Sequence, residues 1–207
     1  EDLAKSQKLN LYAHQFVMMI SSSNQKKTAL GRFISHGLPL VRTRKWDNDL
    51  DFGVCPRNKE QSFAYELLFD SGIPLVSLIG KAGSGKTLMA ISAGFEQVLG
   101  LKDPLYKKLV VSRPVQPMGR DIGFLPGTME EKMLPWLKPI QDNIQFIMGN
   151  DKLALQNLME SGAVELEALT YIRGRSISNA FIIVDEAQNL TAHEVKTIIT
   201  RAGEGTK

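Results

Sequence analysis

Residues 80–87 read Gly80-Lys81-Ala82-Gly83-Ser84-Gly85-Lys86-Thr87, and no other stretch constrains the architecture as strongly. They fit G-x-x-x-x-G-K-[ST] at every position, and the pattern needs these residue types. Glycines let the backbone turn so that its N–H groups face phosphate oxygens. A helix starting near Gly85 brings its positive end to the same point. Lys86 reaches the β- and γ-phosphates, and the Thr87 hydroxyl ligates Mg²⁺. The flanks agree. Upstream, Leu75-Val76-Ser77-Leu78-Ile79 is too apolar for a half-exposed strand and predicts a buried one. Downstream, Leu88, Ile91, Phe95, Val98 and Leu99 recur at helical spacing until Gly100 stops the helix. Strand, glycine turn and helix in that order make a site for a nucleoside triphosphate.

Further strands follow. Leu109-Val110-Val111-Ser112 and Phe181-Ile182-Ile183-Val184 read as buried, while Val164, Leu166 and Ala168 alternate with Glu165 and Glu167. Asp185-Glu186 emerges at the carboxyl end of residues 181–184, where parallel sheets place their ligands. Asp185 is the candidate Mg²⁺ holder and Glu186 the candidate base that orients water. A glutamate ready to activate water favours hydrolysis over transfer to a small acceptor. Gln188 senses the γ-phosphate, relays to a nucleic-acid site, or is simply a polar residue at a helix entry. Gln61 reaches an adenine edge or occupies an exposed helix position. The transition-state charge calls for a cation beyond Lys86. Arg113, Arg173, Arg175 and Arg201 are candidate arginine fingers, in cis or from a neighbouring subunit, or else surface ion-pair residues.

Strands alternating with helices predict an α/β domain, a parallel sheet covered on both faces. It should occupy residues 55–207, after a short, mainly β segment or linker at 1–54. That segment carries candidate strands at 11–20, 31–34 and 38–43 and cannot form a core of its own. Its cluster Arg42, Arg44 and Lys45 beside Trp46 contacts RNA or is a surface loop. Residues 113–162 form a long excursion, functional or a packed insert. A capping box at Thr128 and Glu131 opens a helix that Pro135 should end or kink. A second helix runs from Asp151 to Ser161, closed by Gly162. The closing helix has a capping box at Thr191 and Glu194, an apolar face of Val195, Ile198, Ile199 and Ala202, and Gly203 as C-cap. No strand is expected after it.

Composition excludes several classes. With 43% apolar and 23% charged residues over 207, the chain is globular rather than disordered. The one cysteine, Cys55, rules out an internal disulfide and a Cys-rich zinc site, and three dispersed histidines argue against a His-based metal. No apolar run approaches the ~18 residues of a membrane span, and no leader is expected, so a cytoplasmic location follows. The first residue is Glu, which suggests that the chain was cut from something longer. Residues 1–50 hold eight Lys/Arg against four Asp/Glu, a mild excess that suits nucleic acid or a solvated face.

From Pro56 onward the chain resembles the ATPase domain of the PhoH family of P-loop proteins. The likeness rests on Pro56-Arg57-Asn58 with Glu60-Gln61, the loop at 80–87, Ser112-Arg113-Pro114, and Gly119-Arg120-Asp121-Ile122-Gly123-Phe124-Leu125-Pro126-Gly127. Glu131-Lys132-Met133, A-L-T-Y-I-R-G-R-S at 168–176, D-E-A-Q-N-L at 185–190 and T-R-A-G-E-G-T-K at 200–207 complete it. Leu11-Tyr12, Gln15-Phe16-Val17 and Leu30-Gly31-Arg32 resemble the linker of longer members, in which a PIN-type nuclease domain precedes the ATPase.

The resemblance implies a three-layer P-loop NTPase fold akin to RecA and superfamily 1 helicase cores. It further implies an ATPase acting on RNA, as a helicase or in RNA processing, and a ring-shaped homo-oligomer such as a hexamer. Residues 1–54 are too short for the PIN domain, so no ribonuclease activity is expected of this chain. The family continues past Lys207 into a strand bearing a γ-phosphate sensor; nucleotide binding is therefore expected here, and turnover of the longer protein. A nucleotide-gated assembly ATPase and a P-loop kinase are the competing readings.

Overall fold

The computed structural model describes residues 10–46, 50–52, 54–100, 102–114, 129–149, 151–168 and 176–207. They fall into two units, one within residues 1–47 and 56–66, the other within 48–55 and 67–207. The chain passes between them after residues 47, 55 and 66.

The first unit is an antiparallel sheet, β1 (Phe16–Ile20), β2 (Thr28–Arg32) and β3 (Val41–Arg42), in that spatial order. Met18 stands opposite Leu30, and Arg32 opposite Val41. β1 starts later than the candidate strand at 11–20. The chain turns at His14, whose φ is +64°, and Gln15 N–H donates to the Tyr12 carbonyl at 3.0 Å. The segment shares its core with α1 (Lys59–Leu68): Phe16 stacks on Phe63 at 4.3 Å, and Trp46 meets Tyr65 edge-on at 5.3 Å. Tyr65 and Phe33 are fully buried. The aromatic residues that three short strands could not bury alone are covered by one helix turn.

The second unit is built on a parallel sheet in the order β5-β4-β6, with β4 spanning Lys108–Arg113, β5 Val164–Ala168 and β6 Ala180–Val184. Leu109 pairs with Val164 on one side and Phe181 on the other. Leu109, Val110 and Val111 are completely buried, as the unbroken apolar run required. α2 (Lys86–Phe95) continues into a π-helical turn, Glu96–Gly100, and buries every residue from Met89 to Phe95. Gly94 lets it lie directly on the sheet. A Cβ there would stand 2.7 Å from Leu109 Cδ1 and 3.1 Å from Phe181 Cδ1.

Residues 75–79 depart from expectation. They belong to no sheet among the described residues, and Leu75 and Ile79 are 69% and 93% exposed. A strand needs a hydrogen-bonding neighbour, and the free side of β6 is taken by the chain's last residues instead. Ile182 N–H donates to the Lys207 carbonyl at 2.8 Å, and Lys207 N–H to that of Ala180 at 3.0 Å. The tail thus runs parallel beside 177–182 without forming a strand, as expected after the closing helix. Lys207 Nζ also donates to the carbonyls of Leu67, Asp70 and Ile73 at 2.7–2.8 Å. All three ammonium donors are used.

α3 (Met129–Ile147) passes through Pro135 without ending. A proline inside a helix costs about 3 kcal/mol. Leu137, Ile140 and Ile144, one buried stripe at about 1.5–3 kcal/mol each, offset this cost and that of Pro139. α4 (Lys152–Glu160) is capped by Asp151, whose carboxylate accepts from Leu153 and Ala154 N–H. α5 (Ala192–Ile199) has the expected reciprocal capping box, yet Val195 and Ile199 are exposed, and the helix ends at Thr200 rather than Gly203. Gly203 serves close approach instead: its N–H donates to the Ile177 carbonyl at 2.7 Å, and a Cβ would strike Ser178 Oγ. Thr128, with its box to Glu131, lies outside the described residues. Among the described residues no helix is long and apolar enough to cross a membrane.

Candidate functional site

The loop at 80–87 follows from its own sequence. Gly83 and Gly85 take φ of +75° and +83°, values open to glycine at little cost, and they turn the chain into α2. Gly85 is the N-cap and carries no side-chain acceptor, so the first amides of α2 have no cap of their own. Met89 N–H is the first to find the helix ladder, on the Gly85 carbonyl at 2.9 Å. Lys86 folds back over the loop, donating from Nζ to the carbonyls of Gly80 and Lys81, each at 2.9 Å. Residues Gly80, Lys81, Ala82, Gly83 and Ser84 are all exposed.

The acids come from far away in sequence. β6 pairs with β4, and Asp185 N–H extends the ladder by donating to the Ser112 carbonyl at 2.9 Å. That bond puts Asp185 at the carboxyl end of the sheet, where Thr87 Oγ1 donates to Asp185 Oδ1 at 2.7 Å. Glu186 adopts a left-handed backbone, φ +53°, a conformation that costs a non-glycine residue about 1–3 kcal/mol. Through it the chain passes from β6 into a short 3-10 turn, Ala187–Asn189. Gln188 Nε2 donates to Glu186 Oε2.

Lys86, Thr87, Asp185, Glu186 and Gln188 are thus linked through the loop, the 2.7 Å hydroxyl–carboxylate bond and the acidic turn. Arg201 stands at the C-terminal end of α5 with no ion pair to either acid, and its Nε has no hydrogen-bond partner. Arg113 holds that position instead, 4.0 Å from Asp185 Oδ2 and 3.7 Å from Glu186 Oε1. Its place as last residue of β4, opposite the acids in a parallel register, is the signal that distinguishes it from Arg201. Gln61 lies in the first unit, where its Oε1 accepts from Arg57 N–H at 2.6 Å. Arg173 and Arg175 lie outside the described residues.

A glycine loop leading a helix, answered by an acid at the end of a parallel strand, is a nucleotide-binding arrangement, and comparison with known proteins assigns it. The family model described as PhoH-like protein matches residues 53–207. The chain belongs to the PhoH family. It is 50% identical over 198 residues to Protein PhoH2 of Bacillus subtilis, covering 95% of this chain and 44% of that protein. Protein PhoH2 of Mycolicibacterium smegmatis is 36% identical over all 207 residues, 45% of its own length. A PhoH-like protein of Bacillus subtilis is 41% identical over 133 residues, 64% of this chain and 40% of that protein. The chain spans less than half the length of these relatives. Family and fold together make residues 53–207 a P-loop NTPase-type region of the PhoH family.

Proposed function

We propose that this PhoH chain binds ATP with Mg²⁺ and, within the longer protein, hydrolyses ATP in an RNA-directed reaction. The observation that carries the reading is the 2.7 Å bond from Thr87 to Asp185, which joins the phosphate loop to the acidic strand across 98 residues.

Lys86 exchanges its two carbonyl partners for phosphate oxygens, and the uncapped amides of α2 cradle the same group. A hydroxyl beside a carboxylate offers two hard oxygens, which suits Mg²⁺, an ion that keeps several waters and takes its remaining ligands from phosphates. No cluster of three or more His, Cys, Asp or Glu exists among the described residues to hold a metal alone, so the ion would arrive with the nucleotide. When bound it neutralises phosphate charge. Glu186 orients the water for in-line attack and takes its proton.

The RNA part of the reading is supported by exposed Arg42, Arg44 and Lys45, with the Arg44 guanidinium 4.9 Å above the Trp46 ring. Exposed basic side chains of this kind pair phosphates, and the buried Trp46 ring beneath Arg44 holds that guanidinium in place. Assembly into a ring, with an arginine supplied by a neighbour, belongs to the same proposal. The test is phosphate release by the full-length protein with and without single-stranded RNA. Stimulation by RNA is expected. Release indifferent to RNA but linked to assembly would favour a nucleotide-gated assembly ATPase, and transfer to an acceptor would favour a kinase.

A further inference from the structure

The acidic pair already has a cation. Arg113 and Asp185 end or follow paired strands, since Ser112 stands opposite Val184 in parallel register. The Arg113 guanidinium therefore comes level with the acids, 4.0 Å from Asp185 Oδ2 through Nη1 and 3.7 Å from Glu186 Oε1 through Nη2. The remaining two oxygens are engaged as well, Asp185 Oδ1 by the Thr87 hydroxyl and Glu186 Oε2 by the Gln188 amide. Each carboxylate oxygen faces a donor. The Glu186 side chain is 38% exposed, so the Arg113 contact sets the direction of this carboxylate rather than shielding it from water. Arg113 is 23% exposed and Asp185 14%, so water screens their attraction only in part.

We propose that Arg113 is a positioning residue that acts as a latch: without nucleotide its guanidinium holds Asp185 and Glu186 together in place of the metal ion. Arg113 loosens from Asp185 when a divalent cation comes to the Thr87–Asp185 pair, because the ion competes for the same carboxylate charge and repels the guanidinium. Its release frees Glu186 Oε1 to turn toward the nucleotide, so the base is aimed only once the metal-nucleotide is seated. This rests on the reading of Asp185 and Glu186 proposed above.

The latch competes with the metal, and that competition is measurable without turnover. The experiment titrates free Mg²⁺ against full-length protein and a fluorescent ADP analogue, reading the Mg²⁺ concentration at half-maximal nucleotide binding. Arg113→Ala and Arg113→Gln should each lower it roughly three- to tenfold, as expected for loss of a partly screened ion pair. Arg113→Lys, which keeps the charge, should stay within about twofold of the wild type. Circular dichroism of each variant identifies any that fail to fold, and the glutamine variant preserves side-chain length where alanine does not. An unchanged or raised Mg²⁺ requirement in both neutral variants overturns the latch while leaving nucleotide binding intact. Wild-type protein that binds no analogue at any Mg²⁺ concentration overturns the underlying nucleotide reading, and the latch with it.

Discussion

The loop at 80–87 and the turn at 185–188 make one site by opposite means. The loop is local: its shape comes from Gly83 and Gly85 at positive φ, and its lysine bonds to carbonyls five and six residues away. The turn is non-local. Asp185 is where it is because β6 lies against β4 and its amide reaches the Ser112 carbonyl. Binding chemistry is thus written into consecutive residues, whereas the acids proposed for hydrolysis are placed by a strand register. Damage to the first should remove affinity; damage to the second should remove turnover and leave affinity standing.

The sharpest probe of this division is Glu186→Gln in the full-length protein. Hydrolysis should fall by about 10²–10⁴, the usual contribution of a positioned base, while the affinity for ATP stays within about threefold. A phosphate-release assay beside a nucleotide titration reads both, and an unaltered rate would strip the turn of its catalytic part. Lys86→Ala attacks the other side. Losing charge-assisted bonds to phosphate, at about 1.5–3 kcal/mol each, should weaken nucleotide binding roughly a hundredfold or more by calorimetry. Near-normal affinity in that variant would mean that the loop does not grip the phosphates.

Two smaller effects test the scaffold that joins these regions. Gly94→Val pushes α2 off Leu109 and Phe181 and should destabilise the second unit by about 1–3 kcal/mol in denaturant unfolding. Because α2 carries the loop and β6 carries the turn, affinity and turnover should both suffer; a variant with full stability would mean that the contact is looser than it is drawn. Thr191→Ala removes one half of the α5 capping box and should cost about 1 kcal/mol, with nucleotide affinity unchanged. A loss of affinity there would extend the site beyond the turn into α5.

Local chemistry was the part most legible in sequence. Apolar runs marked β4 and β6, alternation marked β5, and Thr191 with Glu194 marked the start of α5, since each signal sits within a few consecutive residues. Residues 75–79 misled because an apolar run shows the wish to pair but not the partner, and β6 pairs with residues up to Lys207 on its free side. Pro135 misled in the opposite direction: its cost is local, but the buried stripe that overrides it depends on packing. Gly203 looked like a helix cap and proved to be a point of close approach to residues 176–178, a distinction invisible without the neighbour.

What the sequence by itself determined is the phosphate grip. Eight adjacent residues hold the turn geometry, the helix start, the lysine and the hydroxyl, and short-range sterics and hydrogen bonding suffice to assemble them. Only the tertiary structure decided which cation faces the acids. Among the described residues it is Arg113, because parallel register sets that side chain beside Asp185 and Glu186, and register is a property of two strands rather than of either one.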